Sequence, residues 1–395
     1  MKRLLIVLAV LGALVGGAAG YIASVPAFGK HATGERQRRI EESPQWRDGK
    51  FRTEEPMWSN LWGSLRRGLA PSPTSAPSVD VPRVQSRGEL LQVLPTSGLR
   101  ITWFGHSSTL IEIDEVRVLT DPIWSERASP VDWAGPTRWY EPVLPLADLP
   151  KLDAVVVSHD HYDHLDMGSV SALAANKTRF IVPLGIGAHL AHWGVPDAQI
   201  TELDWWQHTR VGPVDVTATP ARHASGRINP QANQTLFAGY ALVGPKHRVY
   251  FSGDTGFFSA LGTIGKELGP FDVTLIESGQ YNATWPDWHI GPEQAVEAHR
   301  VVRGKVLIPI HWGLFTLAPH GWTEPVERVL AAAKCTGATV MTPRPGESVE
   351  PETQSASTRW WPDVPWESGT QAAIIATRDG TTGNRFTLPP CPTEN

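Results

Sequence analysis

The feature that most constrains this chain is Ser158-His-Asp-His-Tyr-Asp-His164, which follows the almost wholly apolar run Asp153–Val157. Such a run reads as a short strand buried on both faces. Three histidines and two aspartates therefore fall within six positions at a strand end. In an extended segment residues two apart point the same way, so His159 and His161 face one cation together. A turn into a helix beyond them swings Asp163 and His164 towards a second. Imidazole and carboxylate suit zinc, iron or manganese. The competing reading is a polar loop that is rich in histidine by coincidence. With 14 His but only 2 Cys, the chain excludes a four-cysteine zinc module and a disulfide scaffold.

A polar residue just after an apolar strand recurs three times, in Thr217–His223, Val249–Gly256 and Lys305–Gly313. Gly253 and Gly256 leave room for close backbone approach beside Asp254. Taken singly, each has a bland alternative: His223 a surface histidine, Asp254 a turn former and His311 a buried, satisfied histidine. Together with the cluster, His159, His161, Asp163, His164, His223, Asp254 and His311 make seven candidate ligands. That is enough for two metals with one bridging carboxylate.

Around this centre the chain divides into four stretches. Residues 1–23 place Lys2 and Arg3 before a run of apolar or small residues, the form of a signal peptide or membrane anchor. Residues 24–97 form a polar arm and a Pro/Ser-rich linker. Residues 98–350 carry regular text: strands at Arg100–Phe104, Thr109–Ile113, Val116–Thr120, Asp153–Val157, Phe180–Pro183, Val214–Thr219, Phe237–Val243, Arg248–Phe251, Val273–Ile276, Val306–Ile310 and Thr339–Thr342. Helices fit Gly168–Asn176, Pro292–Val302 and Thr323–Lys334. Two sheets covered by helices follow from this order. Residues 351–395 read as an irregular tail with a weak strand at Ala372–Thr377. If the body is exported, Cys335 and Cys391 either pair or remain two thiols. A net charge of −5 gives no reason to expect nucleic-acid binding.

The ordered set H-x-H-x-D-H, His, Asp, His resembles the metallo-β-lactamase superfamily over roughly residues 98–345. The resemblance implies an α/β fold, a four-layer αβ/βα sandwich with metals at the sheet edge. It implies that His159, His161 and His223 hold one metal, that Asp163, His164 and His311 hold the other, and that Asp254 bridges them. The cofactor implied is two Zn2+, with iron or manganese as alternatives. The cysteine ligand of the true zinc β-lactamases is missing, so antibiotic hydrolysis is not favoured. Within the superfamily the text is similar to the N-acyl-phosphatidylethanolamine phospholipase D group and its bacterial relatives. The matching pieces are Trp103–Thr109, Leu119–Pro122, Val157–Asp166, Phe251–Gly256, Ile310–Phe315 and, upstream, Ser43–Phe51. His289 aligns with a family histidine near the substrate phosphate. A lactonase group with the same Gly-His-Ser-Ser hairpin shares much of this text.

A hydroxide shared by two metals has a pKa near ~7 and needs no Ser or Cys nucleophile. The expectation is hydrolysis of a phospholipid diester, with Asp254 and His289 as catalytic groups and His289, Trp288 and Phe315 at the substrate. Asp160, Asp166 and Ser107 are candidates for orienting the ligands; His106 reads as a brace below the metals. Trp124, Trp133, Trp139, Trp285, Trp288 and Phe315 either wall a lipid site or belong to the core. The alternatives are a lactonase or amidase, and a non-catalytic, metal-stabilised, membrane-anchored protein. The partners expected are a phospholipid or other small ester, a membrane surface, no nucleic acid, and a second copy of the chain as an open case. The expected location is exported or anchored, on the periplasmic side of an inner membrane.

Overall fold

The computed structural model describes residues 16–17, 20–22, 24–68, 71–85, 88–353 and 359–388. Most of the apolar start expected as a signal or anchor, 1–23, lies outside the described residues. Among those described, no helix is long and apolar enough to cross a membrane. Cys335 is disulfide-bonded; Cys391 lies outside the described residues.

Strands β1 (Leu99–Gly105), β2 (Ser108–Ile113), β3 (Val116–Thr120), β4 (Ala154–Val156), β5 (Arg179–Pro183) and β6 (Ile200–Leu203) build one sheet. A second contains β7 (His208–Val211), β8 (Val214–Thr219), β9 (Gly239–Val243), β10 (Arg248–Phe251), β11 (Phe271–Glu277), β12 (Gly304–Ile310) and β13 (Thr339–Val340). The short β14 (Ser348–Val349) returns to the edge of the first sheet, pairing antiparallel with β1. Each sheet thus has seven strands, in the orders β14-β1-β2-β3-β4-β5-β6 and β13-β12-β11-β10-β9-β8-β7. Antiparallel hairpins start each sheet (β1–β3, β7–β10), and parallel pairs complete it (β3–β6, β10–β13).

Alternation divides each strand between two faces. Ile101, Trp103, Ile111, Val118 and Val156 turn inward to meet Val216, Tyr240, Leu242, Phe251 and Leu275 of the facing sheet. Their neighbours Phe104, Leu110, Leu119, Val155 and Val157 turn outward, under Val170 and Leu173 of the Met167–Ala175 helix and Ile186 and Leu190 of the next. On the other side Tyr250, Phe271, Ile276 and Leu307 pack under Leu261, Val296 and Val329 of three helices. This is the helix–sheet–sheet–helix order expected for the sandwich.

The arm and the tail are irregular but packed. Phe51, in a two-strand hairpin with Trp46, is buried in the inter-sheet core. Trp312 stacks on both Trp103 (5.3 Å) and Trp360 (5.5 Å), which also touch each other (6.4 Å), so the tail closes one end of the sandwich. The weak strand expected at Ala372–Thr377 reduces to a single bridge, Thr377 to Arg385. Even so, Thr377 N–H donates to Asp287 Oδ1 (2.6 Å), and Asp287 pairs with the buried Arg222 (3.3 Å). A buried charge needs such a partner, and here the pair fixes the segments that carry His223 and His289.

Candidate metal centre

The candidate ligands gather where strands end. His159, His161, Asp163 and His164 follow β4, His223 follows β8, Asp254 follows β10 and His311 follows β12. Ligands in α/β sheets collect at such carboxyl ends because side chains beyond them are free of ladder pairing. The β10 turn needs its glycine: Gly253 has φ +56°, and a Cβ there would lie 2.5 Å from that of Ser158. His106, Asp121 and His311 also adopt positive φ, at 52°, 34° and 65°. Non-glycine residues hold such values only when their surroundings fix them. Here the His106 and His311 backbones are tied, His311 N–H donating to His106 O (2.9 Å) and His106 N–H to Trp312 O (3.0 Å).

One group is His159, His161 and His223, with His161 Nδ1 at 2.9 Å from His159 Nε2 and 3.4 Å from His223 Nε2. The other is Asp163, His164 and His311, joined by His106. Asp254 lies between them. Its Oδ2 is 3.1 Å from His164 Nε2, 3.8 Å from His223 Nε2 and 3.9 Å from His159 Nε2; its Oδ1 is 3.1 Å from His311 Nδ1. His106 Nδ1, His164 Nε2, Asp254 Oδ1 and His311 Nε2 are buried with no hydrogen-bond partner. Buried polar atoms left open in this way are costly, and a cation among them satisfies several at once. The residues are therefore positioned to bind metal.

Protonation follows from burial and neighbours. Burial and adjacent imidazoles hold His159, His223 and His311 well below the usual histidine range, in the neutral form that ligates. Burial also opposes charge on His164, but Asp254, Asp163 and Asp121 outweigh it and raise its pKa well above the ordinary value. Burial pushes Asp254 up to about 6, against the pull of His164. A cation entering here displaces protons, so its uptake weakens as pH falls.

The surrounding shell differs from expectation. Ser107 Oγ does reach His311 Nδ1 (3.2 Å). Asp166 instead caps the Met167–Ala175 helix, accepting from Gly168 and Ser169 N–H. Asp160 faces away, to His189 Nε2 (3.2 Å) and Gly226 N–H (2.6 Å). The residue that turns His164 inward is Asp121, whose Oδ2 accepts from His164 Nδ1 (2.7 Å) and from Ser158 Oγ (2.6 Å). His106, expected as a brace of its own hairpin, is instead tied to the His311 turn, and its Nε2 lies 2.9 Å from Asp163 Oδ2. Asp121→Asn should therefore lower metal affinity about 10–100-fold. Competition with a chelator checks this, and an unchanged affinity would remove Asp121 from the account.

His289 sits at the rim, its side chain 16% exposed, 3.7 Å from Asp254 Oδ2. A residue the sequence did not flag stands behind it. Glu277, the last residue of β11, is fully buried; its Oε2 lies 2.8 Å from His289 Nδ1, and its Oε1 accepts from Thr255 and Ile290 N–H. A carboxylate at a strand end is the same signal that marked Asp254. Trp288 gives its carbonyl to His223 Nδ1 (2.9 Å), turning that ring inward. Phe315 is buried edge-on against His106, at 5.5 Å.

This fold and this convergence of side chains define a metal-dependent hydrolase. The family described as the beta-lactamase superfamily domain matches residues 116–312, and the chain belongs to the metallo-β-lactamase superfamily. An uncharacterised protein of Mycobacterium tuberculosis is 47% identical over 340 residues, 81% of this chain and 88% of its own length. The N-acyl-phosphatidylethanolamine-hydrolysing phospholipase D 1 of Caenorhabditis elegans is 40% identical over 240 residues, 58% of this chain and 67% of that protein. Among solved structures, a metallo hydrolase of Ignicoccus hospitalis has a TM-score of 0.50 at 25% identity, covering 64% of this chain and 97% of its own.

Proposed function

We propose that this chain is a dinuclear metal phosphodiesterase of phospholipase D type, acting on N-acyl-phosphatidylethanolamine or a related phospholipid. The observation that carries the dinuclear reading is the position of Asp254, one carboxylate within 4 Å of ring nitrogens from both histidine groups. The phospholipid is supported by the activity named for the C. elegans relative. A cavity of about 370 Å³ opens beside Trp288, whose carbonyl orients His223, and Lys50 is in its lining.

His159, His161 and His223 would hold one cation, Asp163, His164 and His311 the other, with Asp254 between. When bound, such a pair lowers the pKa of water to about 7 and takes up charge on phosphoryl oxygens. The chain's own groups complete the reaction. Burial lowers the pKa of His289, and burial raises that of Glu277 well above its usual range. The two thus share one proton at Nδ1, which leaves Nε2 to carry another. As the bond from phosphorus to the ethanolamide oxygen breaks, Nε2 gives its proton to the departing oxygen while Glu277 restores one at Nδ1. The products are a phosphatidic acid and an N-acylethanolamine.

Export or anchoring outside the cytoplasm is part of the proposal, supported by the disulfide at Cys335. The test is an assay of purified, zinc-loaded protein on N-acyl-phosphatidylethanolamine beside a panel of acyl lactones. Release of N-acylethanolamine is the expected result. Turnover of lactones alone would replace this reading with the lactonase, and no turnover of any ester would leave a binding protein.

A further inference from the structure

The Leu61–Gly68 helix presents an apolar face to solvent. Leu61, Trp62 and Leu65 are 69%, 76% and 52% exposed. Positions 61, 62 and 65 share one side of a helix. The opposite side is small and polar, and it is seated on the loop that leads to His289. Asn60 N–H donates to Thr284 O (2.7 Å), Ser64 Oγ lies 3.1 Å from Thr284 Oγ1, and a Cβ on Gly63 would come within 2.7 Å of the Thr284 methyl. The helix is thus fixed to the protein by its polar side, with its apolar side turned out.

Two observations say what covers that face. Arg66 continues it, exposed and without an ion-pair partner among the described residues; Arg67 follows in the sequence. A short helix with Leu and Trp on one side and arginine beside them matches the boundary of an anionic bilayer, where the rings sit among headgroups and the cations meet phosphates. The second observation is at the loop that carries Trp133. Trp133 is 72% exposed, and its Nε1 donates to Oη of Tyr21, at the end of the apolar start (3.3 Å). Its loop neighbours Val131 and Asp132 border a cavity shared with Tyr162 of the histidine cluster. A second exposed amphipathic aromatic therefore stands beside the loop that carries Tyr162.

We propose that the Leu61–Gly68 helix docks on an anionic phospholipid surface through Leu61, Trp62, Leu65 and Arg66, and so sets the His289 rim against the membrane. The proposal rests on the phospholipid reading for its choice of a lipid over a protein partner. The docking itself needs no hydrolysis.

The test uses the full chain, whose apolar start is expected to hold it on vesicles in any case, so the readout is local. Hydrogen exchange of residues 59–68 is followed with phosphatidylcholine vesicles, with and without phosphatidylglycerol. Exchange should slow at least about fivefold on the anionic vesicles. The slowing should be lost in Trp62→Glu/Leu65→Glu, and Arg66→Glu should abolish the preference for the anionic lipid. The double variant, altered only at exposed positions, should turn over soluble bis(p-nitrophenyl) phosphate within about twofold of wild type. Unchanged exchange on every vesicle overturns the proposal. Slowing that grows with protein concentration without lipid also overturns it, because a second copy then covers the face. Slowed exchange without headgroup release keeps the docking and sinks the phospholipase reading instead.

Discussion

Asp254→Asn is expected to strip both cations from the protein and to end hydrolysis. The carboxylate stands between the two histidine groups, its oxygens 3.1 Å from both His164 Nε2 and His311 Nδ1. An amide has one accepting oxygen and no charge, so it cannot serve two cations. It would also leave His164, which draws on Asp254, Asp163 and Asp121 for its charge, short of one partner. Loss of the cations forfeits several kcal/mol of transition-state stabilisation, which is a drop in turnover of about a thousandfold or more. Packing should hardly change, since the two side chains have the same shape. Elemental analysis of the purified variant, beside its melting curve, measures this. Two retained metals at full rate would show that Asp254 bridges nothing.

His289 and Glu277 should act on the leaving group and on little else. His289→Ala removes the donor at the rim, while the candidate ligands stay in place. Metal content should be unchanged. Turnover of a substrate that releases an alkoxide should fall about 10²–10⁴-fold, the usual worth of a positioned acid. Nitrophenolate leaves without a proton, so bis(p-nitrophenyl) phosphate should be hydrolysed within a few-fold of the wild-type rate. Glu277→Gln should reproduce this split. Glutamine fills the same space beside Thr255 and Ile290, yet it cannot pass a proton to Nδ1. A merely structural role for Glu277 would slow both substrates alike, and that outcome would remove the relay.

Much of this was legible in the chain because the strands are short, apolar and punctuated. Val116–Thr120, Val214–Thr219 and Arg248–Phe251 begin and end where their residues say. The His159–His164 cluster is visible because its members are adjacent, and His223, Asp254 and His311 because each follows an apolar strand. What was not legible depends on residues far apart. Asp121 looks like an ordinary acid until His164 is brought to it, and Glu277, although it ends an apolar strand, has no visible partner until His289 reaches it. Asp166 looked like a ligand's neighbour, but the free N–H groups of the next helix claim it. Phe315, expected at the substrate, lies under His106 because its turn folds back into the core. The tail has the polar, proline-rich text of a loose segment, yet Thr377 completes the buried Arg222–Asp287 pair.

The most direct measurement is a crystal structure of the zinc-loaded protein with anomalous data collected at the zinc edge. Two peaks about 3.5–4 Å apart are expected. One should be ringed by His159, His161 and His223, the other by Asp163, His164 and His311, with Asp254 touching both. A single peak, or peaks that leave Asp254 uncoordinated, would contradict the paired centre from which the proposed chemistry follows.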